Sequence, residues 1–215
     1  MKSKKIYNTC YPYFPRGDIN EIMKETKQIL KGNKLLTMGE HVKNFESKFS
    51  KYCGTRYAIA TNSCTSALEI SLSCLNLKKD DEVIVPVQTF IATGSAVLKS
   101  GAKIVFCDVD NNFLIDFTSL KKLITKKTRA VIVVHFAGMI SSNIIKIKNY
   151  LKKKKIILIE DDAHSHGATF KGIKAGNIGD FGCFSFYSTK IMTTGEGGMI
   201  TTNNKNKYQI CASIR

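Results

Sequence analysis

The stretch EVIVPVQTFIATGSAVLKSGAKIVFC, residues 82–107, decides the architecture. Glu82–Val85 is a short apolar run of strand length, and Lys103–Cys107 is another. Between them, Thr89–Ser100 has the length and apolar spacing of a helix. Two such runs joined by a helix and short connections make a strand–helix–strand unit. Runs that are apolar at nearly every position are how strands covered on both faces read.

The same alternation extends in both directions. Upstream, Tyr57–Ala60 reads as a strand and Cys64–Leu77 as a helix. Downstream come a lysine-rich helix over Thr118–Ile124, a strand over Ala130–Val134, a helix over Ile144–Lys154 and a strand over Ile156–Ile159. The pattern predicts an α/β fold with a mainly parallel, doubly wound sheet and helices on both faces. Two helices come first. Asp18–Lys31 carries Ile19, Ile22, Met23, Ile29 and Leu30 on one face, with Asp18 able to cap it and Gly32–Asn33 ending it. Glu40–Tyr52 carries Val42, Phe45 and Phe49 at helical spacing and stops at Gly54. Residues 1–54 are thus expected to pack, as a helical segment, on a large domain of residues 55–215. A last helix is expected over Lys205–Arg215, and a chain that stops inside a helix reads as truncated or as half of a split protein.

Bulk properties narrow the function. The chain has 215 residues, 43% hydrophobic, enough for one globular domain with a real core or one domain plus part of another. No stretch is apolar for long enough to span a membrane. Met1–Phe14 has lysines but no apolar core of a secretory signal. The seven cysteines, Cys10, Cys53, Cys64, Cys74, Cys107, Cys183 and Cys211, are odd in number and scattered. That argues against a disulfide framework or zinc site and for a reducing compartment, so the cytoplasm is the expected location. The net charge of +16 is the one bulk feature that suggests nucleic acid. Its lysines cluster in Lys121–Lys127 and Lys146–Lys155, without an Arg-rich stretch or interleaved aromatics. Neither nucleic acid nor membrane is therefore an expected partner. The charge reads as a solvated lysine face, or as a field that favours anionic small substrates.

From Glu160 to Gly198 glycines multiply and polar groups gather at strand ends, where ligand sites of open α/β sheets form. IILIED, residues 156–161, delivers Glu160 and Asp161 to a strand's carboxyl end, followed by Asp162, His164 and His166. A carboxylate there needs a partner. Three readings stand: a metal site on His164 and His166, for which no further ligands of fitting spacing are evident; packed histidines with Asp161 capping a turn; or an acid that holds a protonated pyridine nitrogen. GCFSFYSTK, residues 182–190, runs from a short strand, Cys183–Phe186, into Lys190, ahead of TTGEGG at 193–198. A lysine between a buried strand and a glycine-rich turn is partly desolvated, which frees its amine as a nucleophile and proton carrier. The competing reading is an ordinary surface lysine. TNSCTSAL, residues 61–68, joins a strand to a helix with small hydroxyl residues in the first turn. That makes a phosphate site, or plain capping by Ser63 or Thr65. Together, phosphate cradle, pyridine-binding acid and Schiff-base lysine are what pyridoxal phosphate requires.

These segments jointly resemble the DegT/DnrJ/EryC1/StrS aminotransferases, sugar aminotransferases with the aspartate-aminotransferase type of fold. Asn62–Leu68 resembles the family's phosphate turn N-S-G-T-x-A-L, and Pro86–Phe90 its Pro-x-x-Thr-aromatic run. Glu160–Gly167 resembles E-D-A-A-Q-A-H-G, and Phe184–Lys190 with Thr193–Gly198 resembles F-S-F-Y-x-T-K and T-T-G-E-G-G. Leu36–Gly39 and Val42, Phe45 and Glu46 are similar to the family's start. The resemblance implies the large domain of a fold-type-I pyridoxal-phosphate enzyme, with the small C-terminal domain missing and the site shared in a homodimer. It implies that Lys190 carries the cofactor as a Schiff base and moves the proton, while Asp161 pairs with the pyridinium nitrogen. Phe90 would stack on the ring. Thr65, Ser185 and the backbone of Ser63, Cys64 and Thr65 would hold the phosphate, and His164 would meet the phenolic oxygen; no metal is implied.

Three positions depart from the pattern. Cys64 stands where glycine is usual, at a cost if the turn needs a positive φ or a close backbone approach. His164 stands where glutamine is common and can still donate one hydrogen bond. Ile191 follows the lysine where asparagine is frequent. A dehydratase branch of the family has histidine in place of the lysine, and Lys190 argues against it. The implied reaction is a ping-pong transfer of an amino group from L-glutamate to a keto group of a nucleotide-linked sugar. The alternative is a truncated, non-catalytic remnant or half of a split enzyme.

Overall fold

The computed structural model describes residues 12–215; Cys10 and residues 1–11 of the Met1–Phe14 segment lie outside the described residues. Seven strands make one sheet: β1 (Tyr57–Thr61), β2 (Glu82–Pro86), β3 (Lys103–Cys107), β4 (Thr128–Val134), β5 (Ile157–Asp161) and, beyond a short hairpin of β6 (Thr169–Phe170) and β7 (Ile173–Lys174), β8 (Phe181–Ser185) and β9 (Gly198–Thr202). Their order is β1-β9-β8-β5-β4-β2-β3. β3, β2, β4, β5 and β8 pair in parallel, and β9 runs antiparallel to both its neighbours. The expected mainly parallel sheet is present. β9 and the hairpin were not foreseen.

The helices are α1 (Arg16–Leu30), α2 (Glu40–Cys53), α3 (Cys64–Ser73), α4 (Ile91–Lys99), α5 (Phe117–Leu123), α6 (Ile144–Lys153) and α7 (Lys205–Ile214). The strand pleat sends alternate side chains to opposite faces. Val83, Val85, Ile132 and Ile159 meet Leu68 and Leu72 of α3, Ala96 and Val97 of α4 and Cys211 of α7. On the other face Ile84, Val131, Val133 and Leu158 meet Leu120 of α5 and Ile144, Ile147 and Leu151 of α6. Each such buried aliphatic side chain contributes roughly 1.5–3 kcal/mol. α2 covers the β1 side, where Phe49 sits edge-on to Phe184 at 4.9 Å and to Phe186 at 5.2 Å.

Several boundaries differ from expectation. α1 starts at Arg16 behind Pro15, so Asp18 lies in the first turn and caps nothing. α1 buries no residue, and Ile22 and Met23 are exposed. α3 ends at Ser73 rather than near Leu77, because its last carbonyls are taken by tight turns and Asn76 is left-handed. α4 begins at Ile91, leaving Thr89 and Phe90 in the turn before it. β5 runs past Ile159 to Asp161, paired with Val134. β3 is the sheet's edge strand; Ile104 and Val105 pack only partly against the two cores, and Phe106 is exposed. α2 ends as expected, at Gly54 with φ 77°. The lysine runs precede β4 and β5, at the amino edge of the sheet, opposite the strand ends that carry the polar motifs. Among the described residues no helix is long and apolar enough to cross a membrane. The six described cysteines are free.

Candidate active site

At the carboxyl edge, the turns after β1, β2, β4, β5 and β8 surround a cavity of about 630 Å³. The β1–α3 turn forms one wall. Ser63 is the N-cap of α3, its Oγ accepting from Ser66 N at 3.1 Å. The first-turn N–H groups of a helix have no acceptor within it, so capping and anion binding coexist here. A Cβ at Gly198 would collide with the Ser63 backbone, so this glycine lets β9 close against the turn. Cys64 is not left-handed, and the expected conformational cost is absent. Its buried Sγ turns inward, donating to the Cys183 carbonyl at 3.2 Å and lying 3.8 Å from Asp161 Oδ1. Burial, then the Asp161 charge, pushes this thiol well up from its ordinary range.

Asp161 closes the floor. Its Oδ2 accepts from Thr93 Oγ1 at 2.8 Å and its Oδ1 from Ala163 N at 3.2 Å. Glu160 and Asp162 flank it in sequence and are bound to different partners, a hydrogen-bond network of their own. Glu160 Oε1 accepts from Ile178 N at 2.8 Å and Gly179 N at 2.7 Å, and its Oε2 lies 2.9 Å from His135 Nε2. Asp162 Oδ1 accepts from Ser165 Oγ at 2.6 Å, while its Oδ2 is buried without a partner. Burial, then the Glu160 charge, pushes Asp162 well above the usual carboxylate range. His135, Glu160 and Asp162 are the one group of three potential metal ligands among the described residues. Both carboxylates already accept hydrogen bonds there, which makes it a structural network. His164 and His166 take no part in it.

The two histidines separate. His164 lies on the cavity wall, and partial burial followed by the Lys190 charge holds it below its ordinary range. Its ring is therefore neutral near pH 7, with one N–H to donate. His166 is packed between Phe184 at 5.4 Å and Phe186 at 5.3 Å. Burial pushes it down to about 4, offset only in part by the nearby Ser185 backbone, and neither ring nitrogen makes a full hydrogen bond.

Lys190 sits in the turn after β8, its N–H donating to the Tyr187 carbonyl at 2.9 Å. It is half-buried on the cavity wall and has no ion pair among the described residues. Ser185 is buried beneath it and accepts from Tyr187 N at 3.4 Å. Phe90, the N-cap residue of α4, keeps 76% of its surface exposed at the rim. Ser63, Cys64, Thr65, Phe90, Asp161, His164, Ser185 and Lys190, all singled out from the sequence, line this one cavity. Ile191 points away, exposed. Sequence reasoning missed Gln88, Thr89, Tyr187 and Glu196 on the wall and Thr93 behind it. The four wall residues all stood inside quoted motifs, and Thr93 lies four positions beyond Thr89 in a helix that also carries Ser95 and Lys99. A helix amino end for a phosphate, a buried acid, a free amine and a flat exposed ring suit pyridoxal phosphate in type and in room.

Comparison with known proteins agrees. GDP-perosamine synthase of Caulobacter vibrioides is 42% identical over 169 residues, covering 78% of this chain and 45% of its own. The X-ray structure of the aminotransferase from Psychrobacter cryohalolentis superposes with a TM-score of 0.86 at 36% identity, covering 94% of this chain and 50% of that one. A GDP-4-keto-6-deoxymannose-3-dehydratase structure with a trapped PLP–glutamate geminal diamine gives 0.89 at 33%, covering 98% and 55%. The chain spans about half the length of the curated relatives it matches. The fold is that of the large domain of fold-type-I pyridoxal-phosphate enzymes, whose matching structures carry that cofactor. Residues 17–215 match the DegT/DnrJ/EryC1/StrS aminotransferase family, and the chain belongs to it.

Proposed function

We propose that this chain is the cofactor-binding part of a pyridoxal-phosphate-dependent aminotransferase that moves an amino group from L-glutamate to a keto group of a nucleotide-linked sugar, as a cytoplasmic homodimer. One observation carries the reading: the amine of Lys190, the carboxylate of Asp161 and the amino end of α3 meet in one cavity. The GDP-perosamine synthase likeness supports the sugar class, and the glutamate adduct in the matched dehydratase supports the donor. Free cysteines support a reducing compartment. Exposed Phe90, Ile91, Tyr187 and Ile191 beside the cavity support burial against a second copy.

Pyridoxal phosphate, when bound, supplies an electron sink for the carbon that exchanges its amino group. The chain's own residues do the rest. The first-turn N–H groups of Cys64 and Thr65, with the hydroxyls of Thr65 and Ser185, bind the phosphate. Asp161 would accept a hydrogen bond from the pyridine nitrogen, and Phe90 would cover one ring face. His164 donates its one N–H to the phenolic oxygen. Lys190 Nζ, the one lysine amine on the wall, holds the cofactor and takes and returns the proton of a carbon held beside it. Borohydride treatment of protein mixed with pyridoxal phosphate, followed by peptide mapping, should place the reduced adduct on Lys190. Lys190→Ala should lose it without losing the fold. A folded protein that takes no adduct on Lys190 would instead support a non-catalytic remnant.

A further inference from the structure

Thr93 is fully buried in the first turn of α4. A buried hydroxyl is costly unless its hydrogen bonds are made. Thr93 Oγ1 lies 2.8 Å from Asp161 Oδ2 and 2.6 Å from Thr89 Oγ1. The direction of this chain follows from the donor inventory. An ionised carboxylate only accepts, so Thr93 spends its single hydrogen on Asp161. The proton between the two threonines must then come from Thr89. Thr89 lies on the cavity wall, beside Phe90, so the chain runs from the cavity to the acid. Hydrogen bonds aligned in one direction strengthen each other, and those to a charged acceptor are the stronger kind. Ala163 N holds the other oxygen, so the Asp161 carboxylate is clamped at both ends. It also lies near the amino ends of α3, through Cys64, and α4, through Thr93, where helix dipoles favour a negative charge.

We infer that Thr89 and Thr93 are positioning residues, a directed two-hydroxyl chain that fixes the Asp161 carboxylate in the orientation that meets the cofactor's pyridine nitrogen. The inference rests on the proposed cofactor role of the cavity. It gives the Pro86–Phe90 turn two tasks: Phe90 would cover the cofactor ring, while Thr89 begins the grip on the acid.

The test is a spectrophotometric titration of the purified protein with pyridoxal phosphate, together with the pH dependence of the bound cofactor's absorbance. Thr93→Val keeps the shape and removes the donor; affinity should fall roughly 10–100-fold, with a changed pH profile. Thr93→Ser restores the hydroxyl and should return to within about threefold of wild type, which a role in packing alone would not produce. Thr89→Val, at a half-buried site, should cost about threefold and leave melting of the cofactor-free protein unchanged. If Thr93→Val does not fold, Thr89→Val decides. Wild-type affinity and pH profile in the folded valine variants, or a serine variant as weak as Thr93→Val, would overturn the inference while leaving the cofactor site standing. No uptake by wild type would overturn the proposed function, and this inference with it.

Discussion

Asp161 and Asp162 are neighbours in the chain with opposite surroundings. Asp161 is on the cavity wall, its two oxygens bound by Thr93 and the Ala163 N–H. Asp162 is fully buried beside His135 and Glu160, with one oxygen bound by Ser165 and the other by nothing. The histidines that follow divide likewise, His164 on the wall and His166 between two phenylalanines. Two residues of one chemical type, one or two positions apart, thus fall to the cavity wall and to the buried interior by position alone. The pleat of β5 and the turn after it do the sorting. The buried set ties the end of β5 to its neighbours, while the wall set faces the cavity. His135 links the two directly, since its backbone N–H donates to the Asp161 carbonyl at 3.2 Å while its ring faces Glu160.

If that division is right, the buried set should show in stability. Glu160→Ala should have the largest effect, because it strips the acceptor from two backbone N–H groups and from the His135 ring in a fully buried site. Leaving such groups unpaired costs about 3–5 kcal/mol. Urea unfolding of the cofactor-free protein measures it. A loss under about 1 kcal/mol would mean that the network is not what holds the strand end.

His166 offers a smaller effect with a sign. Its folded value is about 4 against an ordinary 6.5, so the unfolded chain binds its proton first as pH falls. The stability it contributes is complete above about pH 6.5, declines as pH falls from there to about 4, and is flat below. By pH 5 the loss amounts to about 2 kcal/mol. His166→Leu should flatten the pH dependence of urea stability between pH 7 and pH 5 by that amount. An unchanged slope would show that the ring takes up its proton in the folded state, and would move His166 towards the wall set.

How much of this was legible follows from which signal each feature uses. The β2–α4–β3 unit was plain because apolar periodicity is local and each element spans several repeats. β9 was not: Gly198–Thr202 is a five-residue strand behind a glycine-rich turn, and its reversed direction depends on pairing with β8 and β1 at once. α1 shows the opposite failure, an amphipathic pattern whose apolar face stays exposed. At the site, motif resemblance placed eight residues that the structure brings to one cavity. It was silent on the Glu160–His135–Asp162 network, whose members lie on β5 and after β4, some 25 residues apart in sequence. Thr93 was hidden for a simpler reason, since a threonine in a helix announces no partner until the facing strand is placed.

The last contrast is read from a trend with pH rather than from a size. Asp162 is pushed well above the ordinary carboxylate range, first by burial and then by Glu160. A carboxyl raised in this way is most favourable to folding below its ordinary value of 3.8, and the penalty grows as pH rises above it, because the unfolded chain ionises first. Asp162→Asn removes the group that carries this penalty, so its stability relative to wild type should rise from pH 4 to pH 7. Urea unfolding at the two pH values reads the trend. A relative stability that falls over that range would mean that Asp162 is ionised and paired with His135, and the division between the two acids would then be one of partners alone rather than of charge.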